Sequence, residues 1–332
     1  MRLLSLLAGL LSLASCHAAP DANENRGKLV IVGGGLRASN EAIYRSFIDG
    51  AQGGQIGIIP AASGKPAKYS NLFKEALISY GVSEDRIHIL PIAVRDDSTT
   101  PSVDESQWAR NAWNESIVEK ARNLNAVWFT GGDQFRIQQS LADESGSDSP
   151  LLGAIRRMYS EGGTIGGTSA GAAIQSNPMI LGGTSLDAFD FGSQSQYPGM
   201  ESQENGPLVL GTGLGFFPHG IIDQHFERKA RLGRLVVALL ENEKAQRLGF
   251  GVDEDTALVY DAAQNKGHVV GSGTVVFVDA AKALATDTSL TGVSLNVLCH
   301  GDAISFADMQ ISVNPKKTVI SEEYLSLQRT PL

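Results

Sequence analysis

Apolar residues fall in short unbroken runs that end at glycine or proline, and between the runs their spacing turns helical. Lys28 to Val32 (KLVIV) stops at Gly33-Gly34-Gly35, Gln55 to Ile59 at Pro60, and Ala126 to Thr130 (AVWFT) at Gly131-Gly132-Asp133. Runs of this length without polar alternation suit strands buried on both faces, as in a parallel sheet. Ile87 to Ile92 and the shorter Thr164 to Gly166 extend the set. Helices are predicted from Ser39, over Ser70 to Tyr80 with Gly81 closing it, over Ser106 to Asn123, over Leu151 to Ser160, and from Ala170 toward Ile174. This alternation implies an α/β fold: a mostly parallel sheet covered by helices on both faces. Short strands dominate later, at Ala257 to Tyr260, His268 to Val270 and Thr274 to Val278, and no repeat period is evident.

Composition narrows the function more than the fold. A chain of 332 residues, 42% hydrophobic and 19% charged, can bury a substantial core, and no Pro/Ser-rich linker divides it, so residues 28–332 read as one domain with insertions. The net charge of -9 and the lack of any dense Lys/Arg stripe argue against nucleic acid as a partner. Cys16 and Cys299 are too few for a disulfide framework or a thiolate metal site, so catalysis is expected to use other side chains, with no metal or cofactor. Met1 to Ala19 has the layout of a secretory leader: Arg2, an apolar run too short for a membrane span, then small residues. Leu13-Ala14-Ser15-Cys16 resembles a lipobox, whose lipidated cysteine would anchor the mature chain to a membrane; cleavage after Ala18 is the competing reading. Either way the chain is expected to be exported, secreted or periplasmic or held at the cell envelope, with residues 20–27 a short polar tether.

Gly167-Thr168-Ser169-Ala170-Gly171 fits GxSxG between an apolar strand and a helical stretch, the setting of a nucleophile elbow. Glycines relieve crowding where the turn is sharpest, so Ser169 can stand exposed at the sheet's carboxyl edge while the Ala170 amide faces a developing oxyanion. A serine hydroxyl needs a base, usually a histidine held by a carboxylate. Of six histidines, His17 lies in the leader and His88, His268 and His300 sit in or beside apolar runs, leaving His219 and His225. His225, in Ile221-Ile222-Asp223-Gln224-His225-Phe226, follows an apolar run into a polar cluster, where α/β enzymes place catalytic groups. Gly33-x-Gly35-x-x-Ala38 matches a loose dinucleotide fingerprint, but Pro60-Ala61-Ala62 after the second strand lacks the acid that would hold a ribose. A non-catalytic binding protein on this scaffold would be favoured by loss of the serine or histidine, and both are present.

Five segments in order, FTGGDQFRI (Phe129 to Ile137), GGTSAGAA (Gly166 to Ala173), GLGF (Gly213 to Phe216), IIDQHF (Ile221 to Phe226) and GVDEDTAL (Gly251 to Leu258), resemble the cyanophycinases. The likeness runs from about Lys28 to Tyr260 and fades beyond. It implies a flavodoxin-like sheet related to class I glutamine amidotransferases and dipeptidase E, with Ser169 as nucleophile and His225 as base. The third triad member is an acidic residue downstream of the nucleophile, which Asp187 in ILGGTSLDAF matches although the family often carries glutamate there; Asp190 and Asp223 are rivals. The resemblance further implies Gly132 as the oxyanion partner of Ala170, and Gln134 and Gln224 as residues lining the cleft. Asp223 would otherwise serve substrate recognition. The implied substrate is cyanophycin, multi-L-arginyl-poly-L-aspartate, cut to β-Asp-Arg, with Arg231 and Arg234 suited to forked recognition of its carboxylates. One position departs: Lys229 stands where the family has an arginine, with Arg228 shifted by one. The alternative within the peptidases is a dipeptidase E-like exopeptidase acting on peptides with an N-terminal aspartate. A homodimer is implied as well.

Overall fold

The first apolar runs become parallel strands: β1 (Lys28–Val32), β2 (Gln55–Ile59), β3 (Ile87–Ile89), β4 (Leu124–Phe129) and β5 (Thr164–Thr168), in the spatial order β1-β5-β4-β2-β3. The computed structural model describes residues 26–315 apart from 101, 243–246 and 286–288; the segment expected to be a leader, with Cys16, lies outside the described residues. Beyond β1 the same sheet continues antiparallel through Thr256–Asp261, Lys266–Gly271, Ala303–Ser305 and Gln310–Ser312, giving nine strands. Part of the segment after Tyr260, where the motifs fade, therefore extends the central sheet.

Helices cover both faces, and the strands' period of two shows which residue serves which side. Leu29 and Ile31 of β1 face α3 (Glu115–Arg122), α4 (Gln134–Leu141) and α5 (Pro150–Ser160), joining Val118, Ile137, Leu141 and Ile155 in one buried cluster. Val30 and Val32 point the other way, into a cluster with Ile43 and Phe47 of α1 (Glu41–Gly50) and Phe73 and Leu77 of α2 (Pro66–Ser79). There Trp128 of β4 stacks on Phe73 with centroids 4.2 Å apart and meets Phe47 edge-on at 5.1 Å. Such pairs add about 0.5 to 1.5 kcal/mol each beyond burial, and they stiffen a wall that reaches the site.

Two expectations change, and one helix appears that the pattern did not predict. The run from Ser106 to Asn123 is not one helix: a 3-10 stretch, Trp108–Trp113, is followed by α3 because Asn114 takes an extended backbone and caps α3 by accepting from Ser116 N. The third strand stops at Ile89, two residues before Pro91, whose missing N–H could not serve the ladder. α4 begins directly after Gly131-Gly132-Asp133 because Asp133 accepts from Phe135 N as its cap, so the glycine pair is a strand-to-helix turn.

A second, four-stranded sheet runs in the order Ser294–Cys299, Thr274–Asp279, Leu248–Val252, Ile221–Gln224. Its last two strands are parallel, with Val252 beside Gln224. Three further helices complete the frame of the site: α6 (Ala170–Ala173), α7 (Ser185–Phe191) and α8 (Leu232–Glu241).

Candidate active site

β5 ends at Thr168, and Ser169 follows with φ 56° and ψ -112°, in the left-handed half of backbone space where a non-glycine residue is strained. Its amide donates to Val32 O at 2.9 Å, tying the turn to β1, and α6 starts at the next residue. The flanking glycines are required by contact: a Cβ on Gly167 would lie 2.2 Å from Gly171 O, and one on Gly171 would lie 2.3 Å from Phe129 O. The GxSxG spacing thus reflects a turn folded tightly onto itself, with Ser169 Oγ left outside.

His225 follows the strand Ile221–Gln224, also at positive φ (47°), and its amide donates to Gly33 O at 2.6 Å. Its Nε2 is 2.9 Å from Ser169 Oγ, and its Nδ1 is 2.6 Å from Glu254 Oε1. With the carboxylate accepting from Nδ1–H, Nε2 is left as an acceptor for the serine proton, the tautomer a general base needs. Burial pushes the His225 pKa below its ordinary value; the nearby Lys229 and Arg231 cations add to this, and Glu254 opposes it. The β1 turn supports the ring closely. Gly34 sits at φ 114°, and a Cβ there would be 2.3 Å from His225 Cε1.

Glu254, which sequence reasoning missed, holds the place expected of Asp187. Asp187 is in the first turn of α7, where Thr184 Oγ1 donates to its Oδ2 at 2.7 Å, its own amide returns a bond to Thr184 Oγ1, and Gly206 N donates to Oδ2 at 3.1 Å. That is a reciprocal capping arrangement, which directs the carboxylate to the helix terminus and not to His225. Asp190 is exposed on the same helix. Glu254 reaches the imidazole because Leu248–Val252 runs parallel to the histidine strand, while its acidic neighbours are engaged elsewhere. Asp253 accepts from Glu227 N, Thr274 N and Thr274 Oγ1; Asp255 accepts from Arg37 N and Ser272 Oγ.

The structure brings only some of the other expected residues to the nucleophile. Gln224 Oε1 lies 3.4 Å from Ser169 Oγ. Gly132 lines the same cavity as Ser169, and the neighbouring Gly131 approaches closely enough for its Cβ position to be 3.3 Å from Ser169 Cβ. Ala170 opens α6, so its amide has no acceptor inside that helix. Gln134, by contrast, is buried away from the cleft: Nε2 donates to Ile180 O and Leu181 O, and Oε1 accepts from Gln203. His219 stacks on Phe306 at 4.1 Å and bonds Tyr260 OH, a core role.

Arg231, Arg234 and Asp223, expected to meet substrate, are buried and pair with one another. Arg234 is 1% exposed and grips Asp223 with two bonds, Nε to Oδ2 at 2.8 Å and Nη2 to Oδ1 at 2.6 Å, while Nη1 reaches Gly183 O and Gln203 O. Burial works against ionisation of Asp223, but Arg234 and Arg231 outweigh it and hold the carboxyl below its usual range. Arg231 donates to Gln224 O at 2.6 Å and to Glu204 Oε1 at 2.7 Å, and burial beside Arg234 brings its pKa down to about 10. These guanidinia fix the backbone on which Gln224 and His225 stand. Arg234→Ala is therefore expected to cost about 3 to 5 kcal/mol of folding stability by stranding a buried carboxylate; denaturant unfolding of the purified variant reads this, and an unchanged midpoint would contradict it.

A cavity of about 680 Å³ opens at Ser169 and His225, walled by Tyr44, Tyr69, Leu72, Phe73 and Trp128. Among the described residues its lining contains no Asp, Glu, Lys or Arg. Burial, with Tyr80 and Asp255 nearby, pushes Tyr44 up to about 12, so this wall stays neutral.

Residues 29–266 match the peptidase family S51 model. The chain belongs to peptidase family S51. It is a serine-type peptidase, of the cyanophycinase type. It is 32% identical over 291 residues to a cyanophycinase from Nostoc sp., covering 82% of this chain and 83% of that protein. A cyanophycinase from Geminocystis herdmanii is 32% identical over 290 residues, covering 83% and 93%. The fold is similar to the crystal structure of a peptidase from an acI-B1 Actinobacterium: TM-score 0.57 and 22% identity, covering 86% of this chain and 98% of that one.

Proposed function

We propose that this S51 peptidase hydrolyses cyanophycin to β-Asp-Arg dipeptides through an acyl-enzyme on Ser169. The observation that carries the reading is the contiguous Ser169–His225–Glu254 chain, in a protein whose curated relatives named cyanophycinase match over four fifths of its length. Ser169 Oγ attacks the scissile carbonyl carbon as His225 Nε2 takes its proton, and the oxyanion is received by the Ala170 and Gly132 amides. The imidazolium, held by Glu254, returns that proton to the departing amine as the C–N bond breaks. A water, deprotonated by His225, then hydrolyses the ester and frees Ser169. The aromatic wall suits the flat guanidinium of an arginyl branch, which gains cation–π attraction where few waters compete. Incubating the full chain with soluble cyanophycin and weighing the products tests this: β-Asp-Arg is expected. Turnover of Asp-Xaa dipeptides with the polymer left whole would give the dipeptidase E-like reading instead.

The pH profile follows from the histidine. A base must be neutral to accept a proton, and His225 is held below the ordinary value of 6.5. The ratio kcat/KM is therefore expected to stay flat through neutral pH and to fall on acidification with a midpoint under 6.5. A midpoint at or above that value would contradict the buried, neutral His225.

A further inference from the structure

A second cavity, about 1070 Å³, adjoins the catalytic one: Met200 lines both, and the turn that gives Gly132 to the first gives Asp133 to the second. The two differ in character. Among the described residues the catalytic cavity has no Asp, Glu, Lys or Arg in its wall, whereas the neighbour is lined by Arg95, Arg110, Asp143, Glu144 and Trp113, which is 41% exposed. Arg136 also borders it but is engaged, with Nε 3.7 Å from Asp133 Oδ2 and Nη1 bonded to Ala62 O. The side chains of Arg95 and Arg110 are exposed and make no hydrogen bond or ion pair with another of the described residues, and the same holds for that of Glu144. Asp143 is occupied in its own loop, accepting from Ser145 and Ser147.

Unpaired guanidinia and an unpaired carboxylate in one concavity, with an exposed indole in the same wall, match a ligand that carries both charges itself. Arginine's planar fork binds carboxylate with two parallel bonds. A carboxylate and an indole face together receive a guanidinium. A repeating chain with one carboxylate and one guanidinium per unit has this chemistry, and a unit next to the one being cut would lie next to Ser169's cavity. We infer that this second cavity is a binding site for the adjacent repeat of the zwitterionic polymer, with Arg95 and Arg110 holding its carboxylate and Glu144 and Trp113 its guanidinium. The inference rests on the cyanophycin reading and adds that the enzyme senses chain beyond the scissile unit.

Two substrates separate it from that reading: soluble cyanophycin, and a single-repeat amide, β-aspartyl-arginine carrying p-nitroaniline on the aspartate α-carboxyl, which leaves the second cavity empty. The paired change Arg95→Ala with Arg110→Ala is expected to raise KM for the polymer about tenfold and to leave kcat/KM for the amide within about twofold of the unaltered enzyme. Glu144→Lys, which repels the guanidinium from the opposite side, is expected to raise the polymer KM alone in the same way. Equal losses on both substrates, or an unchanged polymer KM, would overturn the second site while the cyanophycin reading stands. If the unaltered enzyme cuts the amide but never the polymer, both fall together.

Discussion

Purified Ser169→Ala is expected to lose about 10⁶-fold in kcat, the scale on which serine peptidases fall when the nucleophile goes and only oxyanion donors and binding remain. The magnitude follows from what one oxygen does here. Among the described residues Ser169 Oγ is the only hydroxyl bonded to His225 Nε2, and the base's other nitrogen is already committed to Glu254. Among the described residues no second nucleophile is bonded to His225 to inherit the proton transfer. The fold should survive, because alanine suffers the same positive φ as serine and the amide bond to Val32 O is retained. Melting temperature and turnover should therefore separate: an unchanged transition with activity at the limit of detection. Retention of more than a few per cent of kcat in protein free of contaminating peptidase would remove Ser169 from the chemistry.

Ser169 and His225 were legible for different reasons. The nucleophile announces itself locally, since two glycines flanking a serine between strand and helix record a turn that closes on Gly171 O and Phe129 O. The histidine was found by elimination and by its place after an apolar run. Glu254 was not found, although a visible signal existed: three acids, Asp253-Glu254-Asp255, follow the apolar end of a strand. Which acid faces the imidazole is decided by pairing Val252 with Gln224 and by the loop bonds that consume Asp253 and Asp255, and those contacts lie many residues away. Asp187 illustrates the converse. Thr184 three residues before it forms a capping pair, a short-range pattern that competes with any catalytic reading. Arg234 is drawn inside by Asp223, whose inward direction depends on packing of the strand against α8 and not on the local sequence.

The carboxylate assignment makes the second large prediction. Glu254→Gln is expected to lower kcat by about 10⁴-fold, the effect seen when an amide replaces the acid of a Ser-His-acid site. The cause is tautomeric. A carboxylate can only accept, so it holds the proton on Nδ1 and leaves Nε2 open to Ser169; an amide can donate to Nδ1, which puts the proton on Nε2 and leaves no base. It also removes the charge that stabilises the imidazolium when Ser169 attacks. Asp187→Asn, by contrast, touches only the cap of α7 and should change kcat by no more than a few-fold, with a loss of about 0.5 to 2 kcal/mol in unfolding free energy. The pair discriminates because both changes are isosteric and remove one negative charge each. Glu254→Asp offers a graded control: it keeps the charge but withdraws the oxygen by one methylene from a 2.6 Å bond, so it should recover part of the loss. If Asp187→Asn is inactive and Glu254→Gln turns over normally, His225 takes its orientation from α7 in the working enzyme, and the bond to Glu254 is not the catalytic one.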